Sequence, residues 1–332
     1  MIISRTPFRI SFFGGGTDFP EWYNQNSGKV IATTIDKYCY ISIRRLPPFF
    51  HYNYRLRYFK TELVKSLNQI NHPSIRESLK FSKISDPMEI LHSADLPAQS
   101  GLGASSSFTV GLLNALNAYQ KKHISKKQLG IDAIDIEQNW IKEAVGSQDQ
   151  ISAAFGGFNV INFFKKKIEI NQVITKDKIL KDLENSIFLF FTGYPRKAKV
   201  LEKNKIKNIK KNFNYYNQIT DISLKAEEKL YSSKNIVSDF SELMLKYWSL
   251  KKKLATDVAN EEINKLINLG INNGAHAGKL VGAGGGGFCM FLIDPKKRNN
   301  LIDLFKNFTI VPIKFENTGS QIIYYKSDYD KS

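Results

Sequence analysis

Ser100-Gly101-Leu102-Gly103-Ala104-Ser105-Ser106-Ser107 puts two glycines and four serines at the head of an apolar run, the composition of an anion-binding loop. Phe108, Val110, Leu112, Leu113, Leu116 and Ala118 then recur at helical spacing, so the loop is expected to open a helix. Gly101 and Gly103 let the backbone bend closely around a ligand. The N–H groups and positive dipole end of a helix start favour an anion, most often a phosphate. The stretch lacks the Gly-Lys-Ser/Thr ending of a Walker A loop. It is also an incomplete dinucleotide fingerprint, because Ser106 stands where the third glycine belongs and no acidic residue follows at the ribose-binding distance. Taken alone, such a loop is equally a cap on a packed helix.

Three further groups could join it. Residues 4–13 alternate well enough for a strand, which ends in Gly14-Gly15-Gly16-Thr17-Asp18, a sharp turn or a place where a ligand comes close. Arg9 and Asp18 are its polar residues; alone, they would read as a surface salt bridge and a turn cap. Glu137 falls in an amphipathic helix expected over 126–145, with Leu129, Ala133, Ile136, Trp140, Ile141 and Ala144 along one side. Sharing a turn with Trp140, Glu137 is expected to face inward, which would call for a cation or arginine partner. The alternative is a surface carboxylate at the helix edge. Gly282-Ala283-Gly284-Gly285-Gly286-Gly287 cannot be ordered by its own side chains, and reads as backbone packed against another loop or a ligand.

The elements that must position these groups follow from the remaining pattern. Residues 29–43 read as two β-rich runs flanking Asp36-Lys37, and 88–95 as a strand feeding the serine loop. Residues 44–59 interleave arginine with aromatic rings, which fits a base-stacking surface, a half-buried strand pair or a lip over a nucleotide. Gly146-Ser147-Gln148-Asp149-Gln150 breaks the helix, a small-residue run follows at 151–157, and 158–170 reads as a hairpin. The second half reads as a strand at 187–191, helices at 199–232, 239–255 and 261–272, a strand at 288–293, a helix at 295–308 and closing strands at 309–315 and 321–325.

The 332 residues, 42% hydrophobic, can bury a sizeable core, and the length suggests two domains divided near 181–186. The start of the chain does not read as a signal peptide, and no apolar run approaches the roughly 18 residues of a membrane span. The two cysteines and five histidines match no metal spacing. A soluble, cytoplasmic protein is expected. The net charge of +17 lies largely in polar helical stretches such as 203–211, which read as a solvated face. It favours phosphorylated small molecules over a nucleic-acid or membrane surface.

Pro7-Phe8-Arg9-Ile10-Ser11-Phe12-Phe13-Gly14-Gly15-Gly16-Thr17-Asp18, the 100–107 loop and Lys279-Leu280-Val281-Gly282-Ala283-Gly284-Gly285-Gly286-Gly287 together resemble the three motifs of the galactokinase, homoserine kinase, mevalonate kinase and phosphomevalonate kinase (GHMP) superfamily. The resemblance implies an α+β fold, with a ribosomal-protein-like N-terminal domain (1–183), a ferredoxin-like C-terminal domain (184–332) and an active site in the cleft between them. It further implies that Ser100, Gly101, Leu102, Gly103, Ala104, Ser105 and Ser106 wrap the phosphates of ATP, and that Ser105 and Glu137 hold Mg²⁺. Ala104 and Ser106 depart from the usual Gly-Leu-Gly-Ser-Ser-Ala, leaving open which serine meets the metal. Asp149 falls on the catalytic aspartate and Arg9 on the basic residue beside it.

Thr6-Pro7-Phe8-Arg9-Ile10 and Phe13-Gly14-Gly15-Gly16-Thr17-Asp18 are most similar to the branch that phosphorylates heptose 7-phosphates at the anomeric hydroxyl; the Gly-Glu-His-Thr-Asp of galactokinases is absent. On that footing Gly15, Gly16, Thr17 and Asp18 would bind the sugar, Arg196 and Lys199 its phosphate, and Gly282, Gly284, Gly285 and Gly286 form a structural glycine loop. The implied partners are ATP and a sugar phosphate, with monomer or homodimer open.

Overall fold

The computed structural model of the chain describes residues 1–98, 100–193, 198–255 and 258–327. The chain opens on two long antiparallel strands, β1 (Ile2–Phe13) and β2 (Gly28–Arg45), joined through the glycine turn and a one-turn helix, α1 (Pro20–Tyr23). The hairpin of β3 (Tyr54–Arg57) and β4 (Thr61–Val64), helix α2 (Pro73–Phe81) and β5 (Met88–Ala94) lead to the serine loop. Helices α3 (Ala104–Tyr119), α4 (Lys126–Asp135) and α5 (Gln148–Phe155) follow, then the hairpin of β6 (Phe158–Phe164) and β7 (Lys167–Gln172), and α6 (Asp177–Ser186). The second half runs through β8 (Ile187–Phe191), α7 (Ala198–Lys207), α8 (Phe213–Ser232), α9 (Ile236–Leu254), α10 (Glu261–Asn272), β9 (Ala275–Leu280) and β10 (Phe288–Ile293). It ends on α11 (Arg298–Leu304) and the short strands β11 (Thr309–Ile310), β12 (Phe315–Glu316) and β13 (Gln321–Tyr325).

β2 is one continuous strand rather than two. Pro7 faces Tyr38 while Phe8 faces Ile35, so Asp36 and Lys37 bulge out of the ladder. Before the bulge β2 pairs with β6; beyond it, with β5. One long strand therefore serves β6, β12 and β5 in turn on the side away from β1. The second sheet has the order β11-β8-β10-β9 and is antiparallel throughout.

Only β11 of the expected closing strands joins the second sheet. β12 and β13 cross back, onto β2 and onto the outer side of β1, where β13 satisfies backbone groups that would otherwise form a bare edge. The helix expected over 199–232 is two helices, with a turn at 208–212 between α7 and α8.

β1 is buried almost throughout, because α3 and the α8–α9 pair both pack on it. Leu112 and Leu116 of α3 share a core with Phe8, Ile10 and Phe12 of β1 and with Phe240 and Tyr247 of α9, and that core continues into Phe288 and Met290 of β10. Phe188, Phe190, Phe291 and Phe305 form a second core with Ile263 and Ile267 of α10. The α8–α9 pair thus joins the two sheets. Among the described residues no helix is long and apolar enough to cross a membrane.

Candidate active site

Residue 103 is where the site converges. Gly103 is the N-cap of α3 in the left-handed region, at φ 82°, and no side chain caps this helix start. A Cβ on Gly103 would lie 3.2 Å from Arg9 Cγ and 3.6 Å from Asp149 Oδ2, so the loop, the arginine and the carboxylate meet there. The Arg9 backbone N–H donates to the Leu102 carbonyl at 2.9 Å, and Nη1 to the Gly101 carbonyl at 2.7 Å. Its Nε and Nη2 fork onto Asp149 Oδ1 and Oδ2, each at 2.7 Å. A bidentate pair of this kind fixes the carboxylate in both position and plane. Asp149 stands in the first turn of α5, where the helix dipole favours a negative charge.

Glu137 is buried, at 1% exposure, although not for the expected reason. The regular α-helix stops at Asp135 and gives way to a π-turn over Ile136–Trp140, closed by Ile141 N–H to the Ile136 carbonyl at 2.8 Å. The wider turn points Glu137 inward and leaves Trp140, 44% exposed, against the edge of Phe81. No arginine or lysine supplies the expected partner: among the described residues the groups bonded to Glu137 are neutral. Ser106 Oγ donates to Oε2 at 2.9 Å and Gln150 Nε2 donates to it at 2.6 Å, while Oε1 has no hydrogen-bond partner. Burial pushes the Glu137 carboxyl up to about 7, with the Thr109, Ser106 and Gln150 side chains pulling the other way. Ser106 is therefore the serine in contact with Glu137, whereas Ser105 is exposed on the cavity wall.

The glycine loop closes the site from the second sheet. Gly282, Gly284, Gly285 and Gly286 all have positive φ. The neighbouring Gly287 packs so close that a Cβ there would stand 2.3 Å from the Ser100 carbonyl, and Phe288 N–H donates to that carbonyl at 3.2 Å. Lys205 of α7 donates to the Ala283 carbonyl, and Lys251 of α9 to the Gly282 carbonyl at 2.5 Å. Both lysines are buried and line the cavity, so Lys205 is an exception to the solvated face expected of 203–211.

The glycine turn after β1 is tied to the start of α5. Asp18 Oδ1 accepts from Gly16 N–H at 2.8 Å; Oδ2 accepts from the Gln148 N–H at 3.2 Å and from Gln148 Nε2 at 3.1 Å. Ser147 N–H donates to the Asp18 carbonyl at 2.9 Å. Burial pushes the Asp18 carboxyl up, and the Asp149 charge adds to this, against the pull of the amide bonds. Thr17 is buried and turns its hydroxyl onto the Gly14 carbonyl at 2.8 Å.

These parts border one cavity of about 910 Å³. Gly15, Gly16, Asp18 and Asp149 line it together with Ser100, Gly101 and Gly103 to Ser106, whereas Leu102 turns into the core. Tyr58, Phe59, His72 and Phe108 add an aromatic wall, with the His72 and Phe108 rings stacked at 4.8 Å. The basic-aromatic stretch at 44–59 thus ends as a lip over this cavity. Arg196 and the side chain of Lys199 lie outside the described residues. Lys205, Lys251, Ser11 and Gln148 were not legible as site residues: the lysines stand in lysine-rich helices, and the other two depend on contacts made across the fold. The arrangement can hold a polyphosphate on a helix start and face it with an oriented carboxylate.

The family model described as GHMP kinases N terminal domain matches residues 65–157, and that described as GHMP kinases C terminal matches 233–308. The chain is 31% identical over 321 residues to a D-glycero-alpha-D-manno-heptose 7-phosphate kinase of Campylobacter jejuni, covering 91% of this chain and 92% of that protein. Its fold is that of the D-glycero-D-manno-heptose 1-phosphate kinase of Bacteroides thetaiotaomicron, with a TM-score of 0.79 at 24% identity over 98% of this chain and 100% of that one. It is also that of the mevalonate kinase of Methanococcus jannaschii, with a TM-score of 0.71 at 19% identity over 95% of this chain and 98% of that one.

Proposed function

This chain belongs to the GHMP kinase family, and from that footing we propose that it transfers the γ-phosphoryl group of ATP to the anomeric (C1) hydroxyl of D-glycero-D-manno-heptose 7-phosphate. The product is the 1,7-bisphosphate, a precursor of nucleotide-activated heptose. The heptose follows the Campylobacter jejuni relative and the first motif. The observation that carries the reading is the meeting of Arg9, Asp149 and the helix-start loop in one cavity.

The amides of 101–106 and the positive end of α3 hold the phosphates. Asp149 accepts or orients the proton of the attacking hydroxyl as that oxygen bonds to the γ-phosphorus. The bond from phosphorus to the bridging oxygen breaks, and ADP leaves with the electron pair. Arg9 holds Asp149 in place and in plane through its two-pronged pair. An anomeric hydroxyl is more acidic than an ordinary alcohol, so orientation is a large part of that task.

Mg²⁺ fits the donors present: Glu137 Oε1 is a buried carboxylate oxygen without a hydrogen bond, and Ser105 is exposed on the same cavity wall. When bound, the ion neutralises charge on the phosphate oxygens. The aromatic wall around Tyr58 and His72 receives the base, and the 14–18 turn with Gly15, Gly16, Thr17 and Asp18 forms the sugar side. Lys205 and Lys251, on the cavity wall, are candidates for the substrate's own phosphate, as are Arg196 and Lys199, just upstream of Lys205 in sequence.

Coupled ADP release with ATP, Mg²⁺ and a panel of sugars and sugar phosphates tests the reading. The heptose 7-phosphate should give the highest kcat/KM; a higher value with an unphosphorylated sugar such as fucose would move the chain to another sugar-1-kinase branch. Asp149→Asn should lower kcat by about 10²–10⁴ on the preferred acceptor. Turnover near that of the wild type would remove Asp149 from the chemistry.

A further inference from the structure

Two buried polar atoms on the cavity wall have no internal partner and no part in the mechanism above. Ser11, near the end of β1, is 6% exposed and its Oγ makes no hydrogen bond; Gln148, beside Asp149, is 8% exposed and its Oε1 makes none. Both residues line the cavity. Gly15 lies between them. A Cβ on Gly15 would stand 3.2 Å from the Tyr247 hydroxyl, 3.5 Å from Gln148 Nε2 and 3.9 Å from Ser11 Oγ. Three polar groups therefore close on a niche that only the missing side chain of residue 15 keeps open.

The Gln148 amide cannot turn round. Its Nε2 is held by Asp18 Oδ2 at 3.1 Å, and the same oxygen takes its backbone N–H at 3.2 Å. With the donor end committed to a carboxylate, the other end of the amide must be the oxygen, an acceptor with open lone pairs. Buried acceptors and hydroxyls are nearly always bonded, and a pair left orphaned on one cavity wall marks the place where a ligand supplies the missing partners.

We propose that Ser11 and Gln148 form a hydroxyl-binding subsite for the phosphoryl acceptor. Gln148 Oε1 accepts from one hydroxyl of the acceptor, and Ser11 Oγ bonds another hydroxyl of the same polyol. Asp18 is then a positioning residue: its carboxylate oxygens hold the Gln148 amide and the glycine turn, and it acts on the sugar through Gln148. This rests on the reading of the cavity as a sugar-kinase site.

The wild-type protein, ATP, the preferred sugar phosphate and its monodeoxy analogues provide the test. Wild type that transfers phosphate to no sugar or sugar phosphate overturns the kinase reading, and this inference with it. With an active wild type, Ser11→Ala and Gln148→Met should each raise KM for the sugar about tenfold, the loss of roughly one hydrogen bond, and leave KM for ATP unchanged. Ser11 Oγ has no protein partner, so Ser11→Ala should keep the melting temperature. Wild type should lose about tenfold in kcat/KM on the analogue lacking the contacted hydroxyl, whereas Ser11→Ala should lose nothing further on that analogue. Asp18→Asn should blunt the discrimination among analogues along with Gln148→Met, which a fold defect alone would not do. An unchanged sugar KM in Ser11→Ala and Gln148→Met, or equal losses on every analogue, overturns the subsite while leaving the kinase reading intact.

Discussion

Glu137 holds its carboxyl away from water with neutral partners among the described residues, and that has a measurable sign. Its pKa stands at about 7, against an ordinary value of 4.5. Between those values the folded protein keeps a proton that the unfolded chain releases, so stability falls as pH rises through this window. Above pH 7 the buried carboxylate costs about 3 kcal/mol in the metal-free protein, at 1.36 kcal/mol per unit. Glu137→Gln removes that cost. Without Mg²⁺ it should melt above wild type at pH 8 and level with it near pH 4.5, while its kinase activity is lost. A variant that melts below wild type at both pH values would show that Glu137 stabilises the fold directly. Asp149, by contrast, is partnered by a cation, the Arg9 fork.

At the scale of elements, the site depends on how α3 begins. Gly103 combines a positive φ with contact against Arg9, so Gly103→Ala adds both backbone strain and a clash. It should destabilise the protein by about 1–3 kcal/mol and lower kcat/KM for ATP more than tenfold, read by thermal melts and steady-state kinetics. Equal stability and rate would mean that Arg9 gives way freely. This helix start was legible because glycines, serines and apolar period all agree there. So were β5, the hairpin read at 158–170, β8, α10 and β10. The end of α4 was not: the apolar pattern runs on through Trp140 and Ile141, and nothing local distinguishes a π-turn from an α-turn. Nor was the start of α5, where Gly146 and Ser147 read as a break although Asp149 already lies in the next helix. The single strand β2 was hidden because Asp36-Lys37 looks like a turn, and only pairing to β1 makes it a bulge. Glu137 and Asp149 were therefore found by motif order, and the hydrogen bonds that set their chemistry only by the fold.

Across the whole molecule, one buried lysine ties the two sheets together at the site. Lys279 of β9 donates to the Ser11 and Phe12 carbonyls, each at 2.6 Å, and its Nζ lies 4.9 Å from the centre of the Tyr247 ring. These carbonyls immediately precede the glycine turn, so the second sheet sets where the turn starts. Lys279→Met strands both carbonyls and should cost about 2–4 kcal/mol, read as a lower melting temperature, with a raised sugar KM from the displaced turn. Unchanged stability would show that the bridge carries no load. The return of β13 to the first strand bears on the protein while it is being made. Arg5 meets Gln321, its neighbour across the sheet, 316 residues later in sequence. Throughout translation of everything between, the outer edge of the first strand stays bare and open to a strand from another nascent chain. Pairing with 321–325 is what ends that exposure, so ribosomes stalled upstream of this segment should yield chains prone to aggregate through their first strand.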